Sequence, residues 1–128
     1  MGKRGLVVLS AAVLSLPGCA LFLIGGGAAA GAGAVAYSRG QLRSVQETPF
    51  ERAWDAAQAA MRDLGFVVTY QEKEPDSGKL LARTKDNGEV EIRLKAESTT
   101  ATEIRIRVGW LGNEALSNVI LEKIKQHL

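Results

Sequence analysis

The stretch EVEIRLKAESTTATEIRIRVGW, residues 89–110, alternates apolar and charged residues on both sides of a short polar turn. An alternation with a period of two is that of a β-strand and places one kind of residue on each face of a sheet. A sheet with one dry face and one charged face is typically antiparallel and covered on one side. The apolar residues that share the dry face are Val90, Ile92, Leu94, Ile104, Ile106 and Val108.

Two further strands are predicted ahead of this hairpin, FVVTYQEKE at 66–74 and KLLARTK at 79–85. The turn-forming sequences PDSG and DNG follow them. A three-residue DNG loop with a left-handed glycine pairs Arg83 with Glu91, and a second three-residue loop pairs Arg93 with Glu103. The facing charges are then all opposite in sign. We interpret this face as a solvated surface, with docking of a partner as the alternative.

Two amphipathic helices flank the four strands. The first, TPFERAWDAAQAAMRDLG at 48–65, has Thr48 as a predicted N-cap, Glu51 as its capping-box partner and Gly65 as a left-handed C-cap. The second is predicted to start from an Asn113 cap. Apolar residues recur at intervals of three and four in both helices. They are Phe50, Ala53, Trp54, Ala57, Ala60, Met61 and Leu64 in the first, and Leu116, Val119, Ile120, Ile124 and Leu128 in the second.

This order predicts an α+β domain over residues 48–128, a two-layer sandwich in which a four-stranded antiparallel meander carries both helices on its dry face. Between the last strand and the last helix, Trp110 and Leu111 form an apolar corner bounded by Gly109 and Gly112. We expect this corner to plug the end of the core. The alternative is that it is an exposed anchor for a partner.

The chain begins with a predicted signal peptide at 1–18, in which two cations precede an uninterrupted apolar run. This run is too short to cross a bilayer, which takes roughly 20 apolar residues. The sequence LPGC at 16–19 resembles a bacterial lipoprotein signal, although Pro17 departs from the usual small residue. The resemblance implies cleavage after Gly18 and acylation of Cys19, so that the bilayer itself is a partner. The alternative is that Cys19 is a buried apolar residue in an uncleaved anchor helix.

Removal of the signal peptide leaves no excess of positive charge. Lysine and arginine total 16, aspartate and glutamate total 14, and the first 18 residues hold two cations and no acid. The remaining chain therefore has 14 of each sign. This balance argues against a nucleic-acid partner, which requires a basic surface.

A Gly/Ala-rich segment links the predicted lipidation site to the domain, and we assign residues 19–47 to a membrane-proximal tether. GAGAVA at 31–36 matches a dinucleotide-binding fingerprint, but the alternating strands and helices of a nucleotide fold do not follow it. No nucleotide cofactor is expected. Two interpretations of this segment remain. The spacing of Gly27 and Gly31 is typical of a helix face that packs against another helix in lipid. Alternatively, the segment is a flexible spacer.

The chain as a whole, from GCALFLIGGGAAAGAGAVAYSRGQL through AWDAAQAAMRDLGF to TEIRIRVGWLGNEALS, resembles a family of small Gram-negative lipoproteins classified as a domain of unknown function. The resemblance implies a periplasm-facing protein attached to a membrane. Ala20 after the cysteine implies the outer membrane where enterobacterial sorting rules apply. The resemblance supplies no catalytic residues.

Few residues suggest chemistry. His127 is the single histidine and has no evident partner, and the parts of a Ser-His-Asp triad or a metal site are missing. We therefore predict no enzyme activity, no metal and no cofactor. The favoured function is a structural or interaction module of the cell envelope that binds a partner through Trp110 and Leu111, or through the edge strand predicted at 101–110.

The alternative function is a small carrier that holds an apolar ligand between the helices and the sheet. It requires a cavity among Trp54, Met61, Tyr70 and Ile120.

Overall fold

The computed structural model describes residues 35–128, which contain six strands and two helices. In chain order these are β1 (Val35–Ser38), β2 (Gln41–Gln46), α1 (Phe50–Leu64), β3 (Val67–Lys73), β4 (Ser77–Arg83), β5 (Glu89–Ser98), β6 (Ala101–Val108) and α2 (Glu114–Lys125). The strands form one antiparallel sheet in the order β1-β2-β6-β5-β4-β3. The predicted α+β fold with an antiparallel sheet and two helices is confirmed, whereas the prediction of four strands is wrong.

The two additional strands, β1 and β2, lie within the segment expected to be tether. Arg39 and Gly40 connect them, both with positive φ (+54° and +78°), as a two-residue hairpin turn requires. β2 pairs with β6, so β6 lies inside the sheet and the prediction of an edge strand at 101–110 is wrong. The edges are β1 and β3.

The pairing register predicted from the charges is also wrong, by two residues at both hairpins. Arg83 faces Glu89, and Arg93 faces Arg105. At the first hairpin the left-handed residue is Asn87, with φ of +69°, so the loop starts one residue earlier than expected. At the second, a two-residue turn and a nearby bulge replace the three-residue loop. A shift of two keeps every side chain on its predicted face.

The core lies between the dry face of the sheet and the two helices. Asn113 caps α2 as predicted, since its Oδ1 accepts a 3.0 Å hydrogen bond from Leu116 N–H. Gly65 ends α1 with φ of +75°, also as predicted. The buried apolar residues are Leu42, Phe50, Ala53, Trp54, Ala56, Ala57, Ala60, Met61, Leu80, Ala82, Val90, Ile92, Leu94, Ile104, Ile106, Val108, Ile120, Leu121 and Ile124.

The start of α1 differs from the predicted capping box. Pro49 is the N-cap, and the Thr48 hydroxyl is buried without a hydrogen-bond partner. Thr48 instead contributes its carbonyl, which accepts a 2.8 Å bond from the Thr102 hydroxyl. Glu51 faces away from the cap and pairs with Lys73 at 2.9 Å. Tertiary contacts with the sheet therefore fix this helix end.

Candidate functional site

The predicted lipidation residue, Cys19, lies outside the described residues, as do the signal peptide and the Gly/Ala-rich segment up to residue 34. Neither helix within 35–128 has the length and apolar character that a membrane-spanning helix needs. The site that the structure does describe consists of an apolar corner and the polar face of the sheet beside it.

The apolar corner, Trp110 and Leu111, is exposed, so the prediction that it plugs the core is wrong. The exposed fractions are 84% for Trp110 and 73% for Leu111. The flanking Gly109 and Gly112 adopt φ of +71° and +93°, a left-handed conformation that other residues rarely adopt. These two glycines fold the chain sharply between β6 and α2 and project both apolar side chains into solvent.

The β1–β2 hairpin holds the corner in place. A Cβ atom at Gly112 would collide with Gly40 Cα and lie 2.5 Å from Tyr37 Oη, and one at Gly40 would lie 2.8 Å from Leu111 O. Arg107 Nη1 also donates a 3.4 Å hydrogen bond to Trp110 O. The backbone of the corner is therefore packed closely against a neighbouring turn, while its side chains are exposed to solvent.

The polar face carries a row of cations that crosses four strands. Arg43 on β2 faces Arg105 on β6, which faces Arg93 on β5, which faces Lys79 on β4. We call these four residues the cationic row. Like charges at facing positions destabilise a sheet. The register predicted from the sequence paired each cation with an acid on the facing strand, so the sequence analysis did not predict this row.

Two carboxylates orient the arginines of the cationic row. Glu103, only 8% exposed, accepts a 3.1 Å hydrogen bond from Nε of Arg105 and forms a 3.2 Å ion pair with Nε of Arg43. Glu91 accepts a bond from Nε of Arg93. Each pair uses Nε of a guanidinium, so these ion pairs do not occupy the terminal amino groups, and the arginine side chains remain partly exposed. These groups have the planar fork geometry that binds oxyanions.

An open groove of about 410 Å³ lies along the cationic row. Its charged lining consists of Glu72, Glu74, Lys79, Arg93, Lys95, Glu103 and Arg105. A second depression of about 330 Å³ extends from Lys79 and Arg93 past Arg107 to Trp110. The groove and the apolar corner therefore border the same face.

His127 has a partner that the sequence did not reveal. Its Nε2 lies 2.6 Å from Asp63 Oδ2, which links the chain end to the last turn of α1. This hydrogen bond holds the pKa of Asp63 below its ordinary value of 3.8. Partial burial opposes the shift, and the charges of His127, Lys123 and Arg62 lower the pKa by smaller amounts. The pair is exposed and joins two elements.

The four residues expected to surround an apolar ligand do not enclose a common cavity. Trp54, Met61 and Ile120 are buried in the closely packed core. Tyr70 is 48% exposed and faces Leu81 on the polar side of the sheet. Within the same described range, no cluster of histidine, cysteine and acidic side chains has the arrangement of a metal site.

Comparison with known proteins identifies one family. No curated protein matches the chain. A family described as a protein of unknown function, DUF3568, matches residues 5–127. This match spans both the segment before the sheet and the whole described domain, and the chain therefore belongs to the DUF3568 family.

Proposed function

We propose that the protein is a lipid-anchored, non-catalytic interaction module of the cell envelope. After cleavage following Gly18, acyl chains on Cys19 hold it in a membrane, and the domain faces the periplasm. Ala20 favours the outer membrane. The Trp110–Leu111 corner binds an envelope protein.

The observation that carries this proposal is the exposure of Trp110 on a closely packed backbone. Large apolar side chains that remain in water at a fixed position are typical of the anchor residues of protein interfaces, where tryptophan is enriched. The backbone of the corner lies against Gly40 and the Tyr37 hydroxyl, so little backbone entropy is lost when a partner covers it.

The anchor limits how far the domain extends from the membrane. Residues 20–34 separate Cys19 from β1, and fifteen fully extended residues span at most about 50 Å. Acyl chains contribute about 0.8 kcal/mol for each buried methylene, and more than one chain gives stable attachment. The corner therefore samples partners in the same membrane or immediately beside it.

Site-specific crosslinking in intact cells tests the proposal. A photoreactive amino acid replaces Trp110 in one variant, Tyr70 beside the β3 edge in a second, and the exposed Val119 of α2 in a third. We expect one envelope protein to be captured from position 110 and not from 119. Capture from Tyr70 alone, or from none of the three positions, would contradict the assignment of the corner.

A further inference from the structure

The groove along the cationic row has two poles of opposite charge. In one line across the strands, Glu72 faces Lys79, and beyond Lys79 lie Arg93 and then Arg105. Adjacent strands are about 4.8 Å apart, so the acidic pole begins one strand away from the cations. Glu74 lines the same end of the groove. The lining therefore matches a ligand that carries both signs of charge.

The basic pole is organised before any ligand arrives. Glu103 and Glu91 fix Arg105 and Arg93 through Nε, and the side chains of these two arginines remain 37% and 54% exposed. Their like charges repel across facing strands. An anion between their terminal amino groups relieves this repulsion and accepts several charge-assisted hydrogen bonds.

The number of cations favours phosphate over carboxylate. Arg93, Arg105 and Lys79 all line the groove, and a phosphate monoester offers them three strong acceptor oxygens. A carboxylate has two oxygens and a single charge.

The acidic pole attracts a cation that has N–H donors. Glu74 lies in the turn between β3 and β4, where its own N–H donates a 2.8 Å bond to Ser77 O. The Glu72 carboxylate receives a 3.5 Å contact from the Tyr70 hydroxyl. Two neighbouring carboxylates of this kind suit a primary ammonium group, which brings three donors.

We propose that the groove binds a phosphate ester that also carries a primary ammonium group, with the phosphate on Arg93, Arg105 and Lys79 and the ammonium toward Glu72 and Glu74. The phosphoethanolamine group has this chemistry, and its two-carbon link matches roughly one strand spacing of about 4.8 Å. It occurs as a soluble monoester, which has three free phosphate oxygens, and in the diester of a lipid headgroup, which keeps two of them beside the same ammonium group. The site is independent of the apolar corner and of the anchor.

Calorimetric titration of the full chain in a phosphate-free, non-ionic detergent tests this proposal. The probes are O-phosphoethanolamine, inorganic phosphate and phosphocholine, in which methyl groups replace the ammonium donors. We expect saturable binding of O-phosphoethanolamine and an affinity at least about tenfold lower for the other two, because neither of them has the ammonium donors that bond to the acidic pole. Equal affinity for all three probes, or no saturable binding, would overturn the proposal.

Two variants separate the poles. Arg93→Gln should weaken O-phosphoethanolamine and inorganic phosphate alike by about tenfold, whereas Glu74→Gln should weaken only O-phosphoethanolamine. Lys125→Gln, on α2, is the matched control and should bind like the wild type. Thermal unfolding of each variant checks that the fold is retained. Wild-type affinity in Arg93→Gln, or in Glu74→Gln, would refute the corresponding pole.

Nanodiscs identify the source of the ligand. If the ligand is a lipid headgroup, amide signals of Arg93 and Glu74 shift in nanodiscs that contain phosphatidylethanolamine and stay in place in those with phosphatidylcholine alone. If it is a soluble ester, the same signals shift only when O-phosphoethanolamine is added. Either pattern upholds the site, and the absence of both contradicts it.

Discussion

At the scale of the residue, one carboxylate organises the polar face. Glu103 is almost fully buried and receives two arginines from different strands. A buried carboxylate that loses its ion-pair partners strongly destabilises a fold. The exposed ends of the arginines cost little free energy, because water solvates them. This arrangement explains how the sheet tolerates facing like charges, and it leaves the outer guanidinium groups available for an oxyanion.

The contact between His127 and Asp63 predicts a pH dependence of stability. The pKa of Asp63 is lowered in the folded state, mainly by the hydrogen bond to His127. A lowered pKa stabilises the fold above the ordinary value of 3.8, and this stabilisation is lost as the pH falls through the lowered value. Below pH 3.8 the wild type should therefore lose free energy of unfolding more steeply than Asp63→Asn.

Urea denaturation at a series of pH values measures this difference. Asp55→Asn, an exposed aspartate on the same helix, is the control and should follow the wild type. Parallel curves for the wild type and Asp63→Asn would show that the hydrogen bond to His127 does not form.

Single residues were predictable where local chemistry decides. Gly65 and Asn113 end and begin their helices as their types indicate, because a left-handed glycine and an asparagine cap act through neighbouring backbone atoms. Thr48 is of a residue type that often caps helices, but it does not cap α1. Its carbonyl accepts a hydrogen bond from Thr102 on a strand distant in sequence, and its hydroxyl has no hydrogen-bond partner. Such a contact is visible only once the sheet is known.

At the scale of the element, the β1–β2 hairpin explains most of the differences from prediction. The inward residues of β2 include Ser44 and Gln46, which are buried and bonded to each other at 2.6 Å. Two polar residues on the dry face hide the alternation that marks the other strands. Because β2 was not predicted, two features could not be predicted either. These are the interior position of β6 and the packing of the apolar corner against the β1–β2 turn.

The register shows which part of a strand pattern is reliable. Alternation assigned the faces of β5 and β6 correctly, since side chains change face only for odd shifts. The turn decided the pairing, and there Asn87 took the left-handed position expected for Gly88. The cationic row exists only in the observed pairing of the strands. The predicted pairing, shifted by two residues, placed opposite charges on facing strands.

The two glycines of the corner give a matched test of how the corner is held. Both adopt positive φ, but a Cβ atom at Gly109 meets nothing within 4 Å, whereas one at Gly112 collides with Gly40. We expect Gly109→Ala to lower the free energy of unfolding by about 1–2 kcal/mol, the cost of a left-handed alanine. Gly112→Ala adds overpacking and should lower it by about 3 kcal/mol or more.

Chemical denaturation of both variants provides the measurement. Equal losses would mean that the corner does not pack against the β1–β2 turn.

At the scale of the whole molecule, charge is balanced overall but unevenly distributed. Residues 19–128 include 14 cations and 14 acids. On the polar face of the sheet the register places Arg43, Lys79, Arg83, Arg93, Lys95, Arg105 and Arg107 against Glu72, Glu89, Glu91 and Glu103. The excess of cations on this face suits ligands with phosphate groups, although the net charge of the chain does not reveal it.

The anchor and the domain have complementary roles in this account. Membrane attachment restricts the search for partners to one surface, and the corner and the groove present binding groups at fixed positions on the domain. In the proposed function, the chain is fastened to a membrane through one sulfur atom.

Intact-protein mass spectrometry of the chain purified from membranes tests that claim most directly. We expect the mass of residues 19–128 plus diacylglycerol and one further acyl chain, and we expect Cys19→Ser to accumulate with its signal peptide uncleaved and without lipid. An unmodified mass for the wild type, or membrane retention of both chains at the same unlipidated mass, would contradict the account.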